Sequence, residues 1–317
     1  MDNTVFKEKY AVVVGGVNID IGGQSLSPLV GRDSNPGHVA VSVGGVGRNI
    51  AHNMTLLGMK VCLLTAFGDD IYARKIIESC EELGIDTSAA LQVPGEATST
   101  YLYINDNDGD MAVAVSDMAI CGEITAEYLA EHEALLNGAE IVVADANIPA
   151  SSLVWLAGHC EAPLFVDPVS TRKAGKLKPL LKKIHTMKPN LIEAGVLSGI
   201  KITDDATLWA AAKTLLARGL RRVFITLGAG GVLAAEGDEV ITVPCFPGEP
   251  VNTTGAGDAF MAALAWAWPQ DLGLAETCRF ALAAASIAGE SPGTINPEMS
   301  AEAVAARAQQ FRKEQQI

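Results

Sequence analysis

Short apolar segments alternate with amphipathic segments along most of this 317-residue chain, and this alternation constrains the fold more than any other feature. Buried strands are predicted where β-branched and apolar residues run together, at 10–16, 60–68, 140–145, 163–168 and 221–228. Helices are predicted where apolar residues recur at helical spacing, at 47–58, 69–84 and 205–219. Strands that alternate with helices form a largely parallel sheet covered on both faces. The sequence therefore predicts an α/β fold with a mostly parallel central sheet.

Two polar segments rich in Gly and Thr, 20–43 and 96–117, depart from this rhythm. In the second, apolar and polar residues alternate with a period of two, and the tract NDNDGD at 105–110 joins its two halves like a hairpin turn. We expect a few antiparallel strands that form a small β-rich lid over the crevice at the strand ends. Ordinary surface hairpins are the open alternative.

Composition and charge exclude several classes of protein. A net charge of −14 disfavours nucleic acid and anionic membrane surfaces as partners. The cysteines are scattered without a CxxC pair, which argues against zinc or a disulfide framework. The N-terminal sequence MDNTVFKEKY contains no apolar signal region, and no apolar run approaches the ~18 residues of a membrane span. We expect a cytoplasmic protein.

The common nucleotide and hydrolase motifs are absent from the sequence. There is no GxxxxGK[ST] phosphate loop, and GGVNIDIGG at 15–23 does not match the GxGxxG dinucleotide fingerprint. The GxSxG motif of serine hydrolases is also missing. If the chain binds a nucleotide, it must do so with another construction.

Five polar or glycine-rich stretches lie at predicted strand ends or helix starts: GGVNID (15–20), GGVGRN (44–49), KPNLIEA (188–194), ITLGAGG (225–231) and VNTTGAGDAFM (251–261). Each has a structural explanation. Asn190 and Glu193 could simply cap a helix, and Asp258 could complement the positive end of a helix dipole. The last stretch could instead form an anion cradle of free backbone amides beside a carboxylate.

Taken together, the order and spacing of these stretches resemble the ribokinase-like (PfkB) carbohydrate and nucleoside kinases, from about residue 10 to about residue 300. The resemblance implies a ribokinase-like three-layer sandwich, a single domain over 1–317, and ATP-dependent phosphorylation of an alcohol. Further stretches resemble one nucleoside-kinase subgroup, in which the 5′-hydroxyl of the ribose is phosphorylated: DSNPG (33–37), GGVGRNIA (44–51), ITAEYLA (124–130), FVDPVS (165–170) and HTMKPN (185–190).

The resemblance also implies roles for individual residues. Asp258 would be the catalytic base, and the amides of Gly255, Ala256 and Gly257 would form the anion hole. The substrate would be bound by Asn18, Asp20, Gly44, Gly45, Asn49 and Asn147. ATP with its Mg²⁺ would be bound by Asn190, Glu193, Thr226, Gly228 and Gly231. We expect the polar lid residues to contact the base, namely Ser34, Asn35, Thr98 and Thr100.

Two departures from the family pattern qualify these expectations. Ribokinase has Lys in the two-glycine motif where this chain has Val46, and a shorter apolar residue could leave room for a nucleobase. Many relatives hold K⁺ beside the anion hole with an Asp, whereas this chain has Asn252, two residues before Thr254. Because Asn lacks a formal charge, we expect Asn252 and Thr254 to bind K⁺ weakly or not at all, opposite the segment 290–297.

Other functions remain open from the sequence. The substrate could be another nucleoside or a free sugar, bound by the same residues. A catalytically silent nucleotide-binding protein would be expected to have lost the base or the anion hole, but GAGD at 255–258 is intact. The resemblance also implies a homodimer held together through the lids.

Overall fold

The computed structural model describes residues 9–314, with side chains described as far as Phe311. The prediction that the N-terminal segment contains no signal region concerns residues 1–10, and positions 1–8 of that segment lie outside the described residues. The strands, in chain order, are β1 (Ala11–Val14), β2 (Asn18–Ser25), β3 (Gly37–Gly44), β4 (Val61–Leu64), β5 (Ala66–Phe67), β6 (Leu91–Gln92), β7 (Thr100–Asn105), β8 (Met111–Asp117), β9 (Ile141–Asp145), β10 (Leu164–Asp167), β11 (Thr186–Met187), β12 (Arg222–Thr226), β13 (Val232–Glu236) and β14 (Glu239–Val243).

The helices cover both faces of the larger sheet. They are α1 (Val46–Leu56), α2 (Ile71–Glu82), α3 (Ala126–Glu131), α4 (Glu133–Asn137), α5 (Ala150–His159), α6 (Thr171–Ala174), α7 (Leu191–Ser198), α8 (Asp205–Ala217), α9 (Ala256–Ala267), α10 (Leu274–Gly289) and α11 (Ala301–Glu314). No helix in residues 9–314 is both long and apolar enough to cross a bilayer.

Within residues 9–314, eight strands form the central sheet, in the order β14-β13-β12-β11-β10-β9-β1-β4. In this spatial order, the six strands β4, β1, β9, β10, β11 and β12 are parallel to one another. At the other edge, β13 and β14 extend the sheet as an antiparallel hairpin. Successive residues of β1 enter different cores. Val13 belongs to the core that contains residues of α1, α2, α9, α10 and α11, and Val12 belongs to the core that contains residues of α3 to α8. Burial on both faces explains why these strands are continuously apolar.

This architecture confirms the α/β prediction of a mostly parallel sheet between two helical layers. Several strands differ from the sequence prediction. The segment 60–68 is not one strand, because β4 and β5 are separated at Thr65. The two-residue strand β11 and the β13–β14 hairpin were not predicted. A strand of two residues is too short to show periodicity, which is why β11 gave no signal.

A second, four-stranded sheet, in the order β3-β2-β7-β8, is called the lid sheet below. The predicted hairpin is present, since β7 and β8 are antiparallel and Asn105 pairs with Met111 across the turn. The strands are not all antiparallel, however, because β2 and β7 are parallel. Between them the chain passes through β3, α1, β4, β5, α2 and β6, and a long connection allows parallel pairing where a tight hairpin does not.

The carboxyl ends of β1, β9, β10 and β11 lie at one edge of the central sheet, since these strands are parallel neighbours. The lid sheet begins four residues after β1, and α1 starts directly after β3. Crevices at such strand ends are where open α/β sheets bind ligands.

Candidate active site

The stretch that singled out Asp258 forms the amino-terminal end of α9. Gly255 is the N-cap in a left-handed conformation, with φ 85°, and a β-carbon there would lie 2.1 Å from the carbonyl oxygen of Thr294. The N-cap must therefore be glycine, which has no side chain to cap the helix. The Ala256 N–H donates to the Thr253 carbonyl at 3.3 Å, and the first-turn amides that follow have no intrahelical acceptor. This end of α9 can receive an anion.

The side chain of Asn49 contacts the carboxylate of Asp258. Asn49 lies in the first turn of α1, and its Nδ2 donates to Asp258 Oδ2 at 3.0 Å. Asn49 is buried, and its Oδ1 has no hydrogen-bond partner among the described residues. A buried amide oxygen without a partner is costly, so it is suited to accept a hydrogen bond from a ligand.

Burial raises the pKa of Asp258 to about 7, and the nearby Asp167 carboxylate acts in the same direction. The hydrogen bond from Asn49 and the charge of Lys188 lower this pKa, although they do not cancel the effect of burial. A carboxyl group with a pKa close to neutrality is suited to general acid–base chemistry.

The residues expected to bind ribose lie on the paired strands β2 and β3. Asn18 is buried and donates to Asp20 Oδ1 at 2.6 Å, and it pairs with Gly44 across the two strands. Burial raises the pKa of Asp20. Gly45, with φ 100°, is the N-cap of α1, the helix that carries Asn49. The two-glycine motif is thus continuous with both the Asn18–Asp20 pair and the contact to Asp258.

Asn147 follows β9 and belongs to a network around the fully buried Asp145, a residue that sequence reasoning missed. Asp145 accepts hydrogen bonds from the N–H of Gly16, at 2.9 Å, and from the N–H of Asn147, at 2.7 Å. Burial raises the pKa of Asp145 to about 6. The amide oxygen of Asn147 accepts a hydrogen bond from Lys173. Asp145 therefore ties the turn after β1 to the loop after β9.

Lys188 and Asp167 form a buried ion pair that the sequence analysis did not predict. Lys188 Nζ lies 3.1 Å from Asp167 Oδ2, and both side chains are more than 90% buried. Asp167 ends β10, and Lys188 follows β11 by one residue. The available signal was the placement of charged residues directly after apolar strands, in FVDPVS and HTMKPN.

The predicted ATP-binding residues lie beside this pair. Asn190 and Glu193 form a reciprocal capping box at the start of α7, in which each side chain accepts a hydrogen bond of 2.9 Å from the backbone N–H of the other. The structural explanation of this motif is thus correct, and its role toward Mg²⁺ stays a prediction. Thr226 bridges to Asn190, and the exposed turn that follows contains Gly228 and precedes Gly231.

Asn252, expected near a monovalent cation, has both polar side-chain atoms engaged by the protein. Its Oδ1 accepts from the N–H of Thr254 at 2.9 Å, and its Nδ2 donates to the carbonyl of Pro292 at 3.0 Å. The segment 290–297 therefore lies opposite this loop, as the sequence suggested. The side-chain amide of Asn252 therefore links its own loop to the segment 290–297 through these two hydrogen bonds.

The lid residues expected to contact a base are dispersed. Ser34 and Asn35 lie in the exposed loop between β2 and β3. The expectation for Thr98 needs correction, because this residue is buried and its hydroxyl donates to Asp70 Oδ1, the N-cap of α2, at 2.8 Å. Thr100 pairs with Ile19, on the sheet face opposite Asp20. Sequence reasoning missed Tyr101, which pairs with Asp20 and shares its face.

Comparison with known proteins identifies the family of this chain. Residues 8–301 match the model of the pfkB family of carbohydrate kinases. The chain is 41% identical to the pseudouridine kinase of Escherichia coli over 297 residues, which cover 93% of this chain and 95% of that protein. It is 38% identical over 300 residues to an uncharacterized sugar kinase of the same organism, covering 93% of this chain and 82% of that protein.

Solved structures show the same architecture. The crystal structure of ribokinase from Thermotoga maritima superposes with a TM-score of 0.85 at 26% identity, and the match covers 95% of this chain and all of that one. The family match extends over both the central sheet and the lid sheet. The chain therefore belongs to the pfkB family of carbohydrate kinases, and it is a phosphotransferase that acts on an alcohol group.

Proposed function

We propose that this kinase transfers the γ-phosphoryl group of ATP to the 5′-hydroxyl of pseudouridine. The nucleoside-kinase subgroup that the five stretches in the sequence resemble is that of the pseudouridine kinases, and the 41% identity to one such enzyme supports the same substrate. The observation that carries the chemistry is the position of the Asp258 carboxylate. It lies at the open end of α9 and is held by Asn49.

In the proposed step, the 5′-oxygen forms a bond to the γ-phosphorus while the bond from this phosphorus to the bridging oxygen of ADP breaks. The hydroxyl proton moves to Asp258, which must lie within about 3 Å of that oxygen in the bound complex. Asn49 holds one carboxylate oxygen through its Nδ2. Its Oδ1, which has no hydrogen-bond partner in the part of the chain that the structure describes, can accept a hydrogen bond from the substrate. The amides at Gly255–Gly257 would stabilise the negative charge of the phosphoryl group.

The acidic character of the site fits a nucleotide that arrives with a divalent cation. Four carboxyl groups lie in this region, since the charge of Asp167 raises the pKa of Asp145, Glu193 and Asp258. When bound, Mg²⁺ would neutralise part of the phosphate charge. We propose that it is coordinated mostly by phosphate oxygens and water, and that Asn190 and Glu193 order these waters.

The ribose would lie against the Asn18–Asp20 pair and the glycines at 44–45. A carboxylate can accept hydrogen bonds from two neighbouring hydroxyls, which suits the diol of a ribose. The lid sheet would close over the bound nucleoside and exclude water from the phosphoryl transfer. We propose that this lid and the central sheet belong to one domain.

The test is a panel of acceptors assayed with ATP: pseudouridine, uridine, adenosine, inosine, ribose and fructose 6-phosphate. We expect the highest kcat/KM for pseudouridine. It differs from uridine by a carbon–carbon glycosidic link and an additional ring N–H, and a site that hydrogen-bonds this group can reject an analogue without it by ~10⁴-fold. Equal kcat/KM for pseudouridine and uridine would contradict the substrate assignment and leave the kinase assignment intact.

A free sugar is the second candidate substrate. The 38% identity to an uncharacterized sugar kinase favours it, and the ribose-binding residues proposed here would serve either substrate. The same panel separates the two candidates, because a sugar kinase would prefer ribose or fructose 6-phosphate to every nucleoside.

We also propose that two copies of the chain associate through the outer face of the lid sheet. This face lies opposite Asp20 and carries five exposed apolar residues, each with an exposed fraction between 41% and 74%: Val39, Val41, Leu102, Val113 and Val115. They are cross-strand neighbours and form one continuous surface. Exposed apolar patches of this kind mark interaction sites.

A further inference from the structure

Lys188 occupies an unusual position for a lysine. Its side chain is only 8% exposed, and its ammonium group lies against the first turn of α9, since a β-carbon on Gly257 would come within 3.2 Å of Nζ. One of its three possible hydrogen bonds goes to Asp167. The ammonium group therefore adjoins the helix end at which Asp258 is presented.

Neither the dipole of α9 nor the ion pair with Asp167 accounts for this lysine. The amino-terminal end of a helix carries partial positive charge, so a cation beside α9 is unfavourable unless an anion is present. A buried ion pair generally contributes no more to stability than apolar residues of the same size would. Asp167 balances the charge of Lys188 in the free protein. A ligand anion at α9 would add a second partner for the ammonium group.

We propose that Lys188 is a catalytic residue that donates hydrogen bonds to the phosphoryl group in transfer, and that Asp167 is a positioning residue that holds Lys188 in place. The inference rests on the proposed phosphoryl transfer at the end of α9, although it does not depend on the identity of the acceptor. Lys188 remains protonated throughout. Its charge offsets the negative charge of the phosphoryl oxygens while the bond to ADP breaks, and it takes no part in the proton transfer to Asp258.

The protonation state of Lys188 is consistent with this role. Burial lowers its pKa, but the carboxylates of Asp167, Asp258 and Glu193 raise it by more, so the net direction is upward. An ammonium group that stays charged at neutral pH can act on a phosphoryl group whether Asp258 is protonated or not.

The test uses Lys188→Met, which removes the charge and approximately keeps the volume. Because this change leaves Asp167 buried without a partner, the double variant Asp167→Asn/Lys188→Met removes both charges together and restores a neutral site. Lys213→Met, on the exposed face of α8, is the matched control. We expect kcat to fall by ~10²–10³-fold in both the single and the double variant, the loss seen when one charge-stabilising donor is removed. The nucleoside KM should change by less than about threefold.

A binding measurement provides a second readout. We expect both variants to bind ADP about as well as the wild type, and to bind the ADP–aluminium fluoride complex, with the acceptor present, ~10²-fold or more weakly. Recovery of one third or more of the wild-type kcat in the double variant would show that Lys188 is structural and would overturn the proposal. Unchanged affinity for the aluminium fluoride complex would overturn it as well. Each assay uses whichever acceptor the wild type accepts, so a wrong substrate assignment does not affect the outcome.

Discussion

Replacement of Asp258 by Asn should change activity and stability in opposite directions. The substitution keeps the size of the side chain and its contact with Asn49, but it removes the carboxylate that would accept the hydroxyl proton. General-base catalysis contributes roughly 10²–10⁴-fold, so we expect kcat to fall by at least ~10²-fold. Nucleotide affinity should remain close to that of the wild type. A stopped or coupled assay of ADP formation at pH 8 measures the loss.

The stability effect follows from the pKa of Asp258, which rises from 3.8 to about 7 on folding. The folded protein therefore retains a proton that the unfolded chain releases between these pH values, and its stability falls as the pH rises through this window. A shift of about three pKa units corresponds to ~4 kcal/mol, at about 1.4 kcal/mol per unit. Asp258 is only partly buried by surface area, so solvent screening makes the effect smaller than ~4 kcal/mol. We expect the ionised carboxylate to lower the free energy of unfolding by ~1–3 kcal/mol above pH 7.

The Asp258→Asn variant does not incur this cost, so without ligand it should melt about 2–5 °C above the wild type at pH 8. At pH 4 the difference should vanish, because Asp258 is then neutral in the folded protein. Asp238→Asn, at the exposed turn between β13 and β14, is the control and should change neither kcat nor Tm. A variant that keeps one third of the wild-type kcat would exclude Asp258 as the base. An equal Tm at both pH values would refute the argument from burial.

Three further outcomes are expected. Asp20→Ala should raise the nucleoside KM by ~10–150-fold, the value of a charge-assisted hydrogen bond, and leave the KM for ATP unchanged; a normal nucleoside KM would remove Asp20 from the site. Because both polar atoms of Asn252 are engaged, initial rates at fixed ionic strength should rise weakly or not at all with KCl, and saturation below ~1 mM K⁺ would contradict this. Val115→Asp should yield a monomer in sedimentation velocity if the outer lid face joins two copies, whereas an unchanged dimer would place the interface elsewhere.

The fold could be predicted largely because its strands are buried on both faces. Residues such as Val12 and Val13 enter opposite cores, which requires continuous apolar runs that are visible in the sequence. The parallel pairing of β2 with β7 could not be predicted in this way, since it depends on how a distant segment returns to the lid sheet. Local patterns predict strands, but not which strands become neighbours.

The candidate site was predictable where glycine patterns and polar residues mark element ends. Asp258 and Asn49 were both identified from such stretches, yet their contact joins residues 209 positions apart and appears only in the folded chain. Asp145, Asp167 and Lys188 were missed because a single charged residue at the end of a strand, or directly after it, is common in proteins. Their roles emerge from burial and from their partners, which a sequence pattern does not contain.

Burial of Asp258 explains why activity and stability should oppose each other at this residue. An exposed carboxylate with a pKa near 4 is a weak proton acceptor, whereas one with a pKa of about 7 is better matched to a hydroxyl that loses its proton only as the phosphoryl group is transferred. The same desolvation makes the charged form of Asp258 unfavourable in the free protein. The cost is limited by two neighbours, since Asn49 donates a hydrogen bond to the carboxylate and Lys188 supplies a nearby positive charge. The site therefore keeps Asp258 reactive because its carboxylate is only partly stabilised there. Removal of the carboxylate should increase the stability of the free protein and abolish most of its activity.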